Sequence, residues 1–257
     1  RLIAEARIKT DSIDAETLAR LLKAELIAFS YVPPRNVRME RRIVRHRASL
    51  VKIRTMVKNR IHALLARQGI RHGFSDLFGK AGKEWLKNLE LDWASKLELD
   101  QYLALLDFIE EKIEECKEVI DELVEKNEDA KLLLTIPGVG KIAALLITSE
   151  IGSIDRFKNS KQLASYAGLV PSTYQSGNKI RHGRITKQGS RWLRFIMIQV
   201  ANVAIRCNER LNEFYRRIER KKGHNVAIVA VARKLLTYIW VMLKYRLTWN
   251  ELRINKI

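Results

Sequence analysis

A serine in a strongly basic stretch is the first feature of this sequence that could do covalent chemistry. Ser176 follows Tyr174 in a polar turn composition, and six lysines and arginines with no acid lie between residues 179 and 194. A phosphodiester bound by these cations would come within reach of the serine hydroxyl. Serine attacks phosphorus if its proton is removed and the phosphate oxygens are stabilised. The stretch predicts contacts to a nucleic-acid backbone through Lys179, Arg181, Arg184, Lys187, Arg191 and Arg194.

Two alternatives stay open for this serine. A serine followed by glycine is a common turn composition, so Ser176 could serve the turn alone. His182 is the nearest candidate base in the sequence, but a metal-bound water or a carboxylate would serve as well. Because the chain has no Ser-His-Asp spacing that favours His182, the identity of the base is left undecided.

A second group with possible chemistry is a pair of carboxylates near the start of the chain. If Thr10 or Asp11 caps a helix, Asp11 and Asp14 lie three positions apart and project from neighbouring positions of its first turn. Two carboxylates in that arrangement could share a Mg²⁺ ion, which binds oxygen ligands and retains several waters. The alternative is that acidic residues simply suit the positive end of the helix dipole.

The composition indicates a folded chain with a polyanionic partner. Among 257 residues, 47% are apolar, and 48 lysines and arginines face 29 acids, which leaves a net charge of +19. A basic surface of this size favours nucleic acid, since each neutralised phosphate releases counterions. A ribosomal-type or merely soluble basic protein is the alternative.

The cysteines and the apolar segments indicate the compartment. Cys116 and Cys207 are far apart, with no further cysteine or histidine at ligand spacing, so neither a zinc site nor a disulfide framework is expected. The longest apolar segment, residues 226 to 243, is interrupted by Arg233 and Lys234, and nothing near the start resembles a signal peptide. We therefore predict a cytoplasmic protein with no membrane partner.

The first long element that must position these groups is a basic helix. Residues 35 to 71 contain twelve lysines and arginines and one acid, while Ile43, Leu50, Val57 and Leu64 recur every seven residues. A narrow apolar seam packs one side of such a helix and leaves the other to bind phosphates. A merely solvated face would mix charges of both signs. The expected nucleic-acid contacts here include Arg42, Arg45 and Lys52.

A second long helix carries the strongest periodic pattern. After an irregular stretch at residues 72 to 96, apolar residues occupy two heptad positions over four heptads, and the outer positions are mostly acidic. The two series are Leu99, Leu106, Ile113 and Ile120, and Tyr102, Ile109, Cys116 and Leu123. This pattern predicts a coiled coil, formed either with the basic helix folded back in the same chain or with a second chain.

The C-terminal half predicts short helices around a small hairpin. Residues 132 to 152 fit a helix-hairpin-helix in which Gly138 and Gly140 allow a tight turn and Lys141 starts the second helix, although a purely structural turn would also explain this segment. Residues 172 to 186 predict two short strands, and Ser190 caps a helix over residues 192 to 205. A basic linker at 216 to 225 precedes a last helix over 226 to 245. We predict a mainly α fold with a long antiparallel coiled coil and this helical domain.

Taken together, these motifs resemble the DEDD insertion-sequence transposases of the IS one-ten group, whose relatives include the Piv-type DNA invertases. The resemblance covers nearly the whole chain, in the family's order. It is carried by Lys9-Thr10-Asp11-x-x-Asp14-Ala15, Ile136-Pro137-Gly138-Val139-Gly140, Phe157 with Ala164-x-x-Ala167-Gly168-Leu169-x-Pro171, Tyr174-x-Ser176-Gly177, and Ile185-Thr186-Lys187-x-Gly189-Ser190-x-x-Leu193-Arg194.

The resemblance implies a DNA recombinase built of two parts. One is a RuvC-like, RNase-H-type domain whose four acids bind Mg²⁺, and the other carries a nucleophilic serine; Asp11 and Asp14 match the last two acids, and Ser176 matches the serine. The family further implies an oligomer joined by a coiled coil, and a structured noncoding RNA that selects target and donor DNA and would suit the basic helix. We expect residues 1–34 to be the end of the RuvC-like domain, 35–130 the basic helix and coiled coil, and 131–257 the serine domain.

One departure from the family pattern limits what this chain is expected to do alone. The first two acids of the quartet would lie before Arg1, so we expect residues 1–257 by themselves not to cut DNA. The main competing interpretation is a catalytically dead transposase fragment that acts as a dimeric RNA- or DNA-binding module. A Holliday-junction or repair protein of the helix-hairpin-helix type is a third, which leaves residues 174 to 194 unexplained.

Overall fold

The chain divides into two units, Arg1–Pro34 and Arg35–Ile257. This computed structural model describes residues 10–26, 31–176 and 179–254, and among these the side chains of 179, 180, 182, 253 and 254 are left out. The first unit contains α1, Asp11–Lys23, which starts as predicted, since the Thr10 side chain accepts a hydrogen bond from the Ile13 N–H at 3.3 Å.

Two helices of equal length form the long part of the second unit. α2 spans Arg35–Arg67 and α4 spans Trp93–Glu125, and the connection between them contains the short helix α3, Lys80–Lys87. The helices run antiparallel, because Arg67 at the end of α2 pairs with Glu98 near the start of α4 at 2.6 Å. Val44 near the start of α2 belongs to the same core cluster as residues near the end of α4. The basic helix therefore folds back on the acidic one within the chain.

In the described part of the second unit, seven further α-helices, two strands and a short 3-10 helix, Ile154–Arg156, follow. The helices are α5 Glu128–Leu134, α6 Lys141–Ile151, α7 Ser160–Tyr166, α8 Arg191–Cys207, α9 Glu209–Lys222, α10 His224–Tyr245 and α11 Trp249–Ile254, and the strands are β1 Pro171–Ser176 and β2 Lys179–Ile185. The two strands form one antiparallel sheet. The fold is mainly helical over the described residues, as predicted.

Two hydrophobic cores lie along the helix pair. One lies between the C-terminal half of α2 and the N-terminal half of α4, and includes Ile61, Leu64, Leu99 and Leu106. The other joins α5 to α11 with the opposite ends of α2 and α4. Because α2 and α4 enter both cores, the proposed boundary at residue 130 crosses continuous packing and stays a prediction.

The helix α10 lies at the centre of the second core. Its length and its mean hydropathy of 1.8 would by themselves allow it to cross a membrane. However, it places Val231, Leu235, Leu236 and Ile239 in the core at 0% exposure, as expected of a central helix in a globular domain.

The structure corrects two predictions of secondary structure. The predicted linker at 216 to 225 is wrong, because α9 extends to Lys222. Asn208 caps this helix, and Leu211, Phe214, Tyr215 and Ile218 follow the spacing of one apolar helix face that packs on the core. The dense lysines and arginines between these positions hid that face. The stretch at 72 to 96, expected to be irregular, contains α3.

Candidate nucleic-acid interface

The hairpin of β1 and β2 presents Ser176 at its outer end. Ser176 is the last residue of β1, pairs with Lys179 across the hairpin, and is exposed. Tyr174 is 69% exposed and pairs with Arg181. Alternation along a strand and direct pairing across it place Ser176, Tyr174 and Arg181 on one face. They line a surface depression with Thr173 and Gln175.

The two residues after Ser176 and several side chains of β2 lie outside the described part. The family motif includes Gly177 and the turn prediction includes Asn178, and both residues lie outside the described part. The side chains of Lys179 and His182 lie outside it as well. The backbone register pairs His182 with Thr173 and Ser176 with Lys179, so the candidate base is not directly opposite Ser176. Its role as a base stays a hypothesis.

The base of the hairpin is held by backbone contacts that leave little freedom. The Ser190 N–H donates to the Tyr166 carbonyl at 2.7 Å, and the Lys187 N–H donates to the Gly168 carbonyl at 3.2 Å. Gly189 has φ +92, and a Cβ there would lie 2.1 Å from the Tyr166 oxygen. Only glycine allows this approach. The hairpin is thereby fixed to the end of α7.

Arg194 serves this same junction. Its Nη1 donates to the carbonyls of Ala167 and Lys187, each at 3.0 Å, and the side chain is partly buried. This nitrogen has two acceptors within the chain. Arg184, Lys187 and Arg191, in contrast, are exposed. Among the six cations predicted to contact nucleic acid, Arg194 is therefore the one whose position is explained by hydrogen bonds within the chain.

A buried carboxylate connects the hairpin junction to α2. Glu150, 1% exposed at the end of α6, accepts hydrogen bonds from Arg45 through one oxygen and from the Ser190 hydroxyl through the other, at 2.8 Å. Arg41 donates to the carbonyls of Ser149 and Glu150, which caps the end of α6. Sequence reasoning missed Glu150, since a single acid in an apolar helix carries no periodic signal.

Three cations surround the indole of Trp192 at the start of α8. The ring centroid lies 5.7 Å from the Arg45 guanidinium carbon, 5.6 Å from the Lys52 nitrogen and 5.8 Å from the Arg191 guanidinium carbon. Cations at this distance from an aromatic ring are attracted by it, and the Arg45 charge is already paired with Glu150. A phosphate group would balance the charges of Lys52 and Arg191. Arg45 and Lys52, predicted on the basic helix, and Arg191, predicted in the basic stretch after Ser176, therefore meet here.

The charge balance along α2 also favours anions. Arg42 of α2 is exposed, and the helix carries a single acid, Glu40. Burial, followed by the nearby charge of Asp129, raises the pKa of the Glu40 carboxyl above its ordinary value. Glu40 is thus the one acid on a helix that carries ten arginines and lysines before its end at Arg67 and one more there.

The proposed helix-hairpin-helix has a mixed surface. Gly138 has φ +91 and faces inward, since a Cβ there would lie 3.0 Å from the Val203 side chain. Gly140 is the N-cap of α6 and is exposed, and a Cβ there would meet no atom within 4 Å. Lys141, however, lies 3.3 Å from Glu125 of α4. Contacts between this segment and phosphate remain a prediction.

Asp11 and Asp14 lie in the first turn of α1. Asp11 is exposed and Asp14 partly buried. Among the residues that the structure describes, no group of three or more histidines, cysteines or acids is placed to hold a metal ion. The role of these two carboxylates as Mg²⁺ ligands stays a prediction, which rests on the preference of Mg²⁺ for oxygen.

Two family models match the chain. The model for the transposase IS116/IS110/IS902 family matches residues 130–216, which include the hairpin and the start of α9. A model described as a transposase, for the DEDD domain of the IS110 type, matches residues 2–69, which include α1 and α2.

Several known proteins align with the chain, two of them over more than nine-tenths of it. The transposase for insertion sequence element IS1111A of Coxiella burnetii is 28% identical over 94% of this chain and 68% of its own length. The transposase for insertion sequence element IS1328 of Yersinia enterocolitica is 30% identical over 91% of this chain and 71% of its own length. The pilin gene-inverting protein of Moraxella bovis is 37% identical over 47% of this chain and 38% of its own length.

Proposed function

Since the chain belongs to the IS116/IS110/IS902 family of transposases, we propose that it acts on DNA as a transposase or site-specific recombinase in which Ser176 is the nucleophile. One observation carries the proposal: Ser176 is exposed at the end of β1, on the same face of the hairpin as Arg181. A hydroxyl in that position is accessible to a phosphodiester, and a guanidinium on the same face can bind its oxygens.

The proposed step exchanges one ester for another at phosphorus. The Ser176 hydroxyl loses its proton, its oxygen forms a bond to phosphorus, and the bond from phosphorus to one sugar oxygen breaks. The departing sugar oxygen takes up a proton. Arg181 would stabilise the negative charge on the remaining phosphate oxygens. The covalent serine–DNA bond conserves the ester, so a second DNA end can be joined by the reverse reaction.

Asp11 and Asp14 are the proposed ligands of Mg²⁺. A bound Mg²⁺ ion would neutralise phosphate charge and polarise an oxygen. The support comes from their carboxylate chemistry and their i, i+3 spacing at the start of α1.

The proposed location of the protein is the cytoplasm. Cys116 and Cys207 are both free thiols, which suits a reducing compartment.

A structured noncoding RNA is the proposed partner of the basic side of α2. The exposed Arg42, together with the cluster of Arg45, Lys52 and Arg191 around Trp192, supports this assignment. Folded RNA is recognised largely through its backbone and shape, and a rod of cations suits such contacts. The guide role of the RNA is a property of the family and is proposed for this chain on that basis.

The outer side of α4 supports a homo-oligomer joined by a coiled coil, as a dimer or tetramer. The side of α4 that faces away from α2 exposes large apolar residues, namely Trp93 at 82%, Leu97 at 53%, Leu105 at 43%, Phe108 at 56% and Val119 at 45%. These residues recur at helical spacing along one face, and such a face is typical of a helix that pairs with another.

The experiment that tests the proposed function compares two serines of one strand. In the intact natural protein with Mg²⁺ and its DNA, Ser176→Ala should abolish the covalent protein–DNA adduct. Ser172→Ala is the matched control, since Ser172 lies on the same strand but donates its hydroxyl to the Arg184 carbonyl at 3.2 Å. An adduct that persists in Ser176→Ala would remove this serine from the mechanism and favour a nucleic-acid-binding module without catalysis.

A further inference from the structure

A groove beside the hairpin has features that the proposed chemistry does not use. One wall is the end of β2, at Gly183, Arg184 and Ile185, and the other consists of residues from α9 and α10. Its volume is about 1010 Å³, at the upper end of the range of small-molecule sites. The groove is therefore large enough for a polymer segment rather than a single small ligand.

The rim of this groove is uniformly basic. Five cations line it, and none of the described residues that line it is acidic: the cations are Arg184, Lys187, Lys222, Arg233 and Lys234. All except Lys234 are exposed. Lysines and arginines on both walls, with no acid between them, are complementary to a chain of phosphates that follows the groove.

The floor of the groove is apolar and accessible. It includes Ile185, Phe214, Val226 and Val229, and Val226 is 48% exposed. The Lys234 nitrogen lies 4.5 Å from the centroid of the Phe214 ring, which orients this ring beside the rim. An apolar floor with an aromatic ring can accommodate the faces of unpaired bases, whereas in a duplex those faces are stacked and only the base edges and the backbone are accessible.

We propose that this groove binds single-stranded DNA, with the phosphates on the basic rim and unpaired bases on the apolar floor. The choice of DNA as the occupant rests on the proposed function. Arg184 and Ile185 belong to the same hairpin as Ser176, so a strand that lies along β2 continues toward the nucleophile. The groove thereby holds the DNA strand next to the one phosphate that reacts.

The test measures binding of a fluorescent oligothymidylate to the full chain by anisotropy over a range of salt concentrations. The double variant Lys222→Glu with Arg233→Glu should weaken binding by at least about tenfold. The slope of log affinity against log salt should fall by about 1.4, because each phosphate contact of a single strand contributes about 0.7. An abasic oligonucleotide of equal length should bind wild type about fivefold more weakly or worse, since it cannot stack.

A matched control is available on the same helix. Arg220 and Lys221 are exposed on α9 but do not line the groove. Their double change to glutamate alters the net charge equally and should weaken binding less than about threefold. Equal loss in the two double variants, or equal binding of the abasic strand, would overturn the proposal. The proposal would also be overturned if Lys222→Glu with Arg233→Glu lost binding of oligouridylate but kept binding of oligothymidylate, since the occupant would then be RNA.

The outcome can be separated from the fate of the proposed function. If the adduct assay fails while groove variants still lose single-strand binding, only the nucleophile assignment is wrong. If the adduct forms at Ser176 while the groove variants bind normally, only the groove assignment is wrong.

Discussion

The Arg45 guanidinium on α2 binds the buried carboxylate of Glu150 at the end of α6, with its Nε at 2.9 Å and its Nη2 at 2.5 Å from the same oxygen. The second carboxylate oxygen accepts the hydroxyl of Ser190, which also caps α8. One buried acid thus joins the basic helix to the junction that supports the hairpin. Arg45 also contacts Trp192, so the charged cluster and the hairpin share one anchor.

Removal of this anchor should cost stability. Glu150→Ala leaves Arg45 and Ser190 without their acceptor, and we expect the free energy of unfolding to fall by about 2 to 4 kcal/mol. Glu150→Gln keeps one acceptor and should cost about 1 kcal/mol. Glu118→Ala, on the exposed side of α4, is the control and should change stability by less than about 0.5 kcal/mol. Urea unfolding measures all three, and equal values for Glu150→Ala and Glu118→Ala would contradict the anchor.

The close approach at Gly189 predicts that alanine lowers stability more there than at Gly69, another glycine with positive φ. Gly189→Ala places a Cβ 2.1 Å from the Tyr166 oxygen and should cost at least about 3 kcal/mol. Gly69→Ala has φ +69 but no atom within 4 Å, and should cost about 1 kcal/mol. Thermal unfolding of the two variants compares them. Similar losses would mean that the junction can shift without cost.

The cluster around Trp192 predicts a change in salt dependence. Lys52→Ala with Arg191→Ala should weaken binding of a folded RNA hairpin and lower the salt slope by about 2, one for each phosphate contact. Lys158→Ala with Lys161→Ala removes two exposed lysines near α7 and is the control. Filter binding at several salt concentrations gives the slope, and Trp192 fluorescence should respond to RNA in wild type. An unchanged slope in the first variant would exclude phosphate binding at this cluster.

The outer face of α4 predicts how the chain self-associates. Leu97 and Phe108 lie on one face, about three turns apart. Leu97→Glu with Phe108→Glu should convert the oligomer to monomer without unfolding it, because both side chains are more than half exposed. Met39→Glu with Met56→Glu changes two equally exposed apolar residues of α2 and should leave the oligomer intact. Sedimentation velocity measures the mass of each variant. An unchanged mass in the α4 variant would exclude this face as the oligomer interface.

The sequence was sufficient to predict features that depend on local patterns. Thr10 and Ser190 cap helices as their neighbours indicated, and the turn composition located both strands. Caps and turns depend on residues within a few positions of each other, and the printed order contains that information. The heptads predicted α4, but only the packing decided that α2 is its partner within the chain.

Features that depend on distant contacts were not predictable. Glu150 and Arg45 are 105 positions apart, so no local pattern relates them. Arg194 belongs by sequence to the basic stretch, yet its contacts to Ala167 and Lys187 arise only when the chain folds. The helix α9 was missed because its charges obscure four apolar residues that face the core.

The most direct test of the central claim identifies the residue that becomes attached to DNA. The intact natural protein is allowed to react with its DNA and Mg²⁺, the adduct is digested with protease and nuclease, and the nucleotide-bearing peptide is sequenced by mass spectrometry. We predict a peptide from the end of β1 with the nucleotide on Ser176. A nucleotide on any other residue, or DNA cleavage with no adduct at any stage, would contradict the account.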